Sequence, residues 1–249
     1  MSHATHTCFE AVVAVEQRCR DARLRGETCD ALAVEAEVEA ATGSMLSAAA
    51  DACTDGQLTE IGYFGFFDAN ADLRDACVNQ ARGAMAAAYA PATEAPSPAV
   101  IACMSASAAY GRKVMWFILD RQTPVMERLA TRLDPGEDRA DVARQVEIEL
   151  RDTRPRWIDG LLGVCPDFES IYGRTAESFL RTLKQRADCV LSKTYVNNAI
   201  LCAGPSCGNG IPEGDEECDD GNADDSDACR NDCTQAGSSA SAPGRRRAS

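Results

Sequence analysis

The sequence is poor in the residues on which many enzymes and membrane proteins depend. Only two of its 249 residues are histidines, His3 and His6, and both lie at the amino terminus, where we expect the chain to fray. A hydrolase that uses a Ser-His-Asp or Cys-His arrangement is therefore not expected, because the globular part offers no base. No run of 18 apolar residues occurs, so no transmembrane segment is expected.

Several motifs of metal, cofactor and nucleic-acid sites are also missing. The C-x2-C spacing of zinc and redox sites does not occur, and neither does the phosphate-binding G-x-x-x-x-G-K-[ST] or the dinucleotide-binding G-x-G-x-x-G. A net charge of −14 argues against nucleic acid as a partner, since binding it requires a basic face. We predict that the protein is not an enzyme and has no cofactor, and we keep an enzyme of unrecognised type as an alternative.

Aromatic residues make up only 6% of the chain and alanine is abundant, which favours helices over sheets. We expect breaks within the helical pattern near Thr42-Gly43 and Thr123-Pro124, and a linker at 91–98. The predicted fold is all-α: a disulfide-braced helical bundle or array in residues 1–202, with a small carboxyl-terminal cysteine-rich, loop-rich module. The expected helices lie near 7–24, 28–52, 57–89, 99–132, 138–152, 155–164 and 167–201.

Thirteen cysteines suggest an oxidising compartment, and nine of them precede residue 207. Several are 24 residues apart, as Cys53 and Cys77 are, and a straight helix would separate such a pair by about 36 Å. A disulfide needs roughly 4.4 to 6.8 Å between Cα atoms, so these cysteines must bond to neighbouring helices or the segments must fold back. Nine cysteines leave at least one unpaired, and Cys202 is the first candidate.

A weak repeat supports an array of helices. Cys103 and Cys165 are each followed, seven residues later, by Tyr-Gly-Arg, at 110–112 and at 172–174. Such spacing is typical of duplicated helical units, although it also arises by chance among this many cysteines.

The segment CGNGIPEGDEECDDGNADDSDACRNDC, residues 207–233, cannot fold by burial. Its larger apolar side chains are too few to offset about 1.5 kcal/mol of ordering entropy per residue. Disulfides, at about 3 kcal/mol each for short loops, or a metal must supply the difference. We predict a disulfide module in residues 203–236, which contain ten acidic residues and one arginine. The cysteines of the module are Cys207, Cys218, Cys229 and Cys233. A disordered tail is predicted at 237–249.

This order of C-G-N-G, an acidic stretch, E-x-C-D-D-G-N, D-x-C and a final cysteine resembles the Myxococcus cysteine-rich repeat of myxobacterial secreted and surface proteins. Ala228 departs from that pattern, where the family usually has glycine. The resemblance implies export, disulfide bonding and an extracellular or cell-surface location, and it implies no catalysis. The apolar run Ala11–Val15 is too short for a signal peptide, so we expect a mature fragment or a start further upstream.

The module also contains a candidate calcium site. Asp220, Asn222 and Asp224 reproduce the D-x-N-x-D start of a calcium loop, whose alternating oxygen atoms face one ion. Asp225 stands where an EF-hand has glycine and Asn231 where it has glutamate, so an EF-hand is excluded. A looser calcium site and a solvated acidic surface both remain open.

The surroundings of two aromatic clusters distinguish an interaction protein from a carrier of a small molecule. Tyr63, Phe64, Phe66 and Phe67 form one, and Trp116-Phe117-Ile118-Leu119 the other; both are expected to be core. We predict an exported, non-enzymatic interaction or structural protein, whose partner is a protein or a surface polymer. The alternatives are a weak calcium-binding surface module and a helical carrier of an apolar small molecule. A carrier requires a closed cavity at the clusters, whereas an interaction protein requires a filled core and an exposed patch.

Overall fold

A computed structural model describes residues 1–60, 62–90, 96–131 and 153–195. The chain divides into two units, Met1–Gly204 and Pro205–Ser249, and every described residue lies in the first. The helix expected at 138–152, most of the linker at 91–98, the cysteine-rich module and the tail lie outside the described residues. The domain limits drawn from the sequence therefore stay predictions.

The described part of the chain is helical and contains no strand, which confirms the all-α prediction. A π-helical turn, the π-turn, spans Asp75–Asn79. The α-helices are α1 Ser2–Leu24, α2 Ala31–Ala52, α3 Asp55–Glu60, α4 Phe66–Arg74, α5 Gln80–Ala87, α6 Pro98–Thr131, α7 153–164, α8 Phe168–Tyr172 and α9 Ala176–Thr194.

The first two helices begin and end on local signals. Gly26, at φ +77°, follows the end of α1, and the Asp30 carboxylate accepts the Leu32 and Ala33 backbone N–H groups to cap α2. The break predicted near Thr42-Gly43 is wrong, since α2 continues through both residues. One glycine costs about 1 kcal/mol in a helix, and the surrounding alanines favour helix strongly enough to offset it.

Proline does not interrupt α6 either. The helix runs from Pro98 to Thr131 with Pro124 inside it, so the break predicted at Thr123-Pro124 is also wrong. Leu119 and Met126 are buried on either side of the proline. Packing of these side chains stabilises the helix where proline removes a backbone hydrogen bond.

Glycines in left-handed conformations end two helices that the sequence pattern predicts to be continuous. The helix predicted at 57–89 is interrupted at Gly62 and Gly65, with φ of +106° and +130°. The helix predicted at 167–201 is interrupted at Gly173, whose φ of +66° caps α8. Hydrophobic periodicity continues across these positions, because side chains on both sides pack on one core.

The core lies where α1 packs against α2, α5 and the π-turn, and where α9 packs against α5 and α6. Gly111 marks a close approach of α6 to α9, because a Cβ atom there would lie 2.5 Å from Leu183 Cδ1. Phe179 packs beside it, edge-on to Phe168 at 5.1 Å between ring centroids.

Three disulfides join pairs of described cysteines: Cys8–Cys77 ties α1 to the π-turn, Cys19–Cys29 ties the end of α1 to the start of α2, and Cys103–Cys165 ties α6 to the chain after α7. Their Cα atoms are 5.5, 5.3 and 4.8 Å apart. The prediction that these cysteines bond between neighbouring segments is confirmed for these three pairs.

Two further cysteines of the described part differ in state. Cys189 on α9 is disulfide-bonded, and Cys53, at the end of α2, is a free thiol. Cys202, the spare thiol predicted from the sequence, lies outside the described residues.

The two Tyr-Gly-Arg copies occupy different structures. The first lies within α6, whereas the second forms the end of α8, where Gly173 is left-handed. The cysteines that precede the copies, Cys103 and Cys165, bond to each other. The repeat in the sequence therefore does not correspond to a repeat of structure.

Candidate functional site

Residues 62–67 follow α3 and include the first two residues of α4, and they display two phenylalanines to solvent; we call this segment the Phe64–Phe67 loop. Phe64 is 96% exposed and Phe67 is 91% exposed, whereas Tyr63 is buried and Phe66 is half-buried. The expectation that this cluster is core is thus right for Tyr63 and wrong for Phe64 and Phe67.

Glycine and carboxylate residues fix the loop's backbone. Gly65 has φ +130° and ψ −174°, a combination accessible to glycine and strained for other residues. The Phe64 N–H donates to Asp68 Oδ2 at 3.1 Å, and the Phe66 N–H donates to Asp55 Oδ1 at 3.0 Å. The glycines on either side of Phe64 were the signal in the sequence that could have revealed an exposed turn.

Tyr63 anchors the loop to the rest of the bundle. It forms a small buried cluster with Leu58 and Ala69, and Phe66 and Cys53 pack against that cluster. The Tyr63 hydroxyl donates to the backbone carbonyl of Lys193 at 2.6 Å, on α9. Burial raises the pKa of the Tyr63 phenol, so it stays a hydrogen-bond donor at neutral pH.

A salt bridge strengthens the same attachment. Lys193 Nζ lies 2.7 Å from Asp72 Oδ1, which joins α9 to α4. The Lys193 side chain is about one-third exposed, and its hydrogen bond to Asp72 raises the Lys193 pKa. The loop is therefore held by packing, a tyrosine hydrogen bond and this ion pair, while two of its aromatic side chains are in water.

The surface around the loop is acidic. Residues 26–73 contain ten acidic residues and no lysine or arginine. Five of the acids are paired with cations from outside that stretch: four with arginines, Glu27, Glu35, Glu37 and Glu39, and Asp72 with Lys193. Within the described residues, neither Asp55 nor Asp68 has a cation within ion-pairing distance. Two carboxylates that form no salt bridge with any described residue therefore lie at the base of the two exposed phenylalanines.

The second aromatic cluster is arranged differently. Ile118 and Leu119 are buried, as predicted, while Trp116 and Phe117 are half-buried along a groove of about 560 Å³. The other lining residues are charged: Glu10 from α1, and Arg112, Lys113 and Asp120 from α6. Such a lining does not suit an apolar cargo, which needs mostly hydrophobic walls.

His6 belongs to the globular part, so the expectation that it lies in a fraying segment is wrong. Its ring lies edge-on to Trp116, 6.5 Å between centroids, and burial lowers the His6 pKa to about 4. His6 Nε2 lies 3.4 Å from Thr123 Oγ1, but that hydroxyl donates to the Leu119 carbonyl at 2.7 Å. The threonine proton is therefore not directed at the imidazole, and the pair does not form a nucleophile with its base.

The site residues predicted from the sequence lie outside the described residues. These are the disulfide cysteines Cys207, Cys218, Cys229 and Cys233 and the calcium candidates Asp220, Asn222 and Asp224. Among the described residues, no group of three histidine, cysteine, aspartate or glutamate side chains could hold a metal ion. No described helix is long and apolar enough to cross a membrane.

Comparison with known proteins identifies one segment. A family profile described as a domain of unknown function, DUF4215, matches residues 191–234. The matched segment runs from the last turn of α9 through the four module cysteines, so the chain carries a cysteine-rich domain there. No curated protein and no solved structure matches the chain. The resemblance to the Myxococcus cysteine-rich repeat stays a prediction.

Proposed function

We propose that this protein is an exported, non-enzymatic interaction protein that binds its partner through the Phe64–Phe67 loop. The observation that carries the proposal is the near-complete exposure of Phe64 and Phe67 on a segment fixed by its other contacts. Burying one phenylalanine is worth roughly 1.5 to 3 kcal/mol. A partner that covers both rings would recover a free energy that folding of the chain leaves unused.

The fixed backbone favours binding. Ordering a loop and its side chains at an interface costs affinity, and a loop held in its bound conformation avoids part of that cost. Here the glycine conformations, the two aspartate hydrogen bonds and the Tyr63 anchor set the backbone in the free protein. Aromatic side chains at the centre of an interface commonly supply most of its binding energy.

Disulfides support the export part of the proposal. Disulfides persist in oxidising compartments and are rare in the cytosol, and this chain has three pairs within its first 165 residues. The cysteine-rich domain at 191–234 belongs to the same chain. A protein or a surface polymer outside the cell is the partner that this location offers.

The groove supports an interaction role over that of a carrier, and the surroundings of His6 support a non-enzymatic role over that of an enzyme. A carrier requires a closed apolar cavity at an aromatic cluster, whereas the first cluster exposes two rings and the second lines a charged groove. His6, whose pKa is about 4, is neutral at pH 7 and has no directed proton donor in the hydroxyl beside it.

The proposal is tested with cell, surface and extracellular fractions of the organism that produces the protein. The protein is located by cell fractionation, and its free thiols are counted by alkylation and intact mass with and without reductant. Immobilised protein then captures partners from the extracellular and surface fractions, using the wild type, the F64S/F67S variant and the L32S control. Leu32 is 82% exposed on α2, so the control removes an exposed apolar side chain elsewhere.

We expect an extracellular or surface location, oxidised cysteines, and a captured partner that the double variant loses and the L32S variant keeps. A cytosolic protein with mostly free thiols would contradict export. A partner retained equally by all three proteins would contradict the role of the loop. Melting the wild type in calcium and in chelator tests the proposed site at Asp220, Asn222 and Asp224 independently, because a bound ion raises the melting temperature.

A further inference from the structure

We propose that the partner segment bound by the Phe64–Phe67 loop is basic and apolar: a protein segment with apolar side chains flanked by lysine or arginine. This inference rests on the proposed function and adds to it the chemistry of the partner. It is carried by the juxtaposition of two exposed phenylalanines with two carboxylates, Asp55 and Asp68, that form no salt bridge among the described residues. Asp68 adds to the raised pKa of Lys193, but the Lys193 ammonium pairs with Asp72.

The two carboxylates at the loop each have one oxygen atom committed to the loop itself. Asp55 Oδ1 accepts the Phe66 N–H, and Asp68 Oδ2 accepts the Phe64 N–H. Among the described residues, no further hydrogen bond or ion pair engages Asp55 Oδ2 or Asp68 Oδ1. Asp55 is exposed and Asp68 is half-exposed, so both second oxygens can accept a hydrogen bond from a partner's guanidinium or ammonium group.

One further exposed carboxylate of the stretch acts in the same direction. The arginines that reach this stretch are engaged by other acids, as Arg18 is by Glu37 at 2.6 Å and Arg74 by Glu39 at 2.9 Å. Asp51, which is exposed near the end of α2, adds a further negative charge two residues before Cys53, which packs against the buried cluster under the loop. Charges within about 8 Å of each other interact appreciably at physiological salt, so a basic partner is attracted and oriented.

The same charges disfavour two other occupants. A second copy of the chain, related by two-fold symmetry, would bring identical carboxylates together, which is repulsive. An anionic membrane surface would be repelled for the same reason, since peripheral proteins use lysine and arginine to approach it. A basic apolar segment satisfies both the phenylalanines and the carboxylates.

The experiment uses the full, disulfide-intact chain and defined probes. The first probe is a fluorescent 16-residue helical peptide of lysine, leucine and alanine; the second carries glutamate at each lysine position, and the third carries serine at each leucine position. Vesicles of zwitterionic phosphatidylcholine form the fourth. Binding is measured by fluorescence anisotropy or co-sedimentation at 50 and 300 mM NaCl, with the wild type and with F64S/F67S, D51K and L32S.

We expect the lysine-leucine peptide to bind the wild type at least tenfold more tightly than either altered peptide, and more weakly in 300 mM NaCl. F64S/F67S should lower the affinity about tenfold or more and D51K several-fold, because the first removes the apolar contact and the second reverses a nearby charge. L32S should stay within twofold of the wild type.

Equal binding of the lysine and glutamate peptides would overturn the basic-partner inference, as would lysine-peptide binding that F64S/F67S leaves unchanged. Loop-dependent binding to the vesicles without peptide binding would overturn it in favour of a lipid surface. If the partner captured from the extracellular fraction depends on the loop while the lysine peptide fails to bind, the proposed function stands and the inference is wrong. If capture also ignores the loop, both are wrong.

Discussion

The contact between α1 and the π-turn and the Phe64–Phe67 loop lie within the same 80 residues and differ in almost every respect. At the first, Phe9 and Val12 are buried and a disulfide joins Cys8 to Cys77. At the second, two phenylalanines are in water, the backbone uses left-handed glycines, and the neighbouring Cys53 is a free thiol. The comparison teaches that stability is concentrated in the braced helices, which allows the loop to keep apolar side chains exposed.

The largest effect on stability should come from the braced side of the comparison. Replacing both cysteines in C8S/C77S releases a loop closed across 69 residues, and chain entropy alone predicts a loss of about 4 kcal/mol in the free energy of unfolding. The C19S/C29S variant opens a separation of 10 residues and should lose less, about 3 kcal/mol. Denaturant unfolding measures both.

The control for the disulfide variants is C53S. Cys53 is a free thiol, so its replacement removes no cross-link and should lower the free energy of unfolding by about 1 kcal/mol or less. A C53S variant as unstable as C8S/C77S would mean that the braced and unbraced regions do not differ as described.

A smaller, pH-dependent effect is expected at His6, between α1 and α6. Burial holds the His6 pKa at about 4 in the folded protein against 6.5 ordinarily, so the unfolded chain binds this proton more tightly. The contribution of His6 to the free energy of unfolding should therefore decrease as the pH falls from about 6.5 to about 4 and level off below. The difference in pKa corresponds to at most about 3 kcal/mol.

The H6Q variant separates this effect from the titration of carboxylates. Denaturant unfolding is measured from pH 7 to pH 4, and the wild-type curve should decline more steeply than the H6Q curve over that interval. Parallel curves would show that His6 titrates alike in the folded and unfolded states.

On the loop side of the comparison, G65A should cost about 1 to 3 kcal/mol, because alanine is strained at φ +130°. The matched control is G43A, within α2, where a Cβ atom meets nothing within 4 Å and alanine favours the helix. G43A should therefore stabilise the protein by about 0.5 to 1 kcal/mol in the same unfolding measurement. A G65A variant as stable as the wild type would show that the loop does not require this conformation.

The smallest effect on stability should come from F64S/F67S. Both side chains are more than 90% exposed, so their replacement should change the free energy of unfolding by about 0.5 kcal/mol or less. Retention on a hydrophobic-interaction column should decrease, since the exposed apolar area decreases. A large loss of stability would show that the rings pack on the protein and would remove the contrast between the two regions.

The sequence allowed the fold class and several helix limits to be predicted, because their signals are local. Ala-rich periodicity located α1, α2 and α6, and Gly26 marked the end of α1. The 24-residue spacing of several cysteines also required that they bond to neighbouring helices or that the segments fold back. The partners, such as Cys8 with Cys77, depend on which helices are neighbours, and that is a property of the folded chain.

The candidate site was only partly predictable for a physical reason. The aromatic cluster at 63–67 was recognised, but periodicity does not distinguish an aromatic ring that packs inward from one that points to solvent. The backbone conformations at Gly62 and Gly65 place the side chains of Phe64 and Phe67 in solvent and not in the core. Likewise, burial of His6 depends on α6, which is more than 90 residues away in the sequence.

The conformation of Gly65 has a consequence for handedness. Its φ of +130° and ψ of −174° are the mirror image of an extended strand residue, which is the backbone geometry that a D-amino acid prefers. Glycine is the one genetically encoded residue that lacks chirality, so translation can place this geometry in the loop without strain only through glycine. Chemical synthesis with D-alanine at position 65 would retain the mirror-image geometry while restricting the chain around the two phenylalanines.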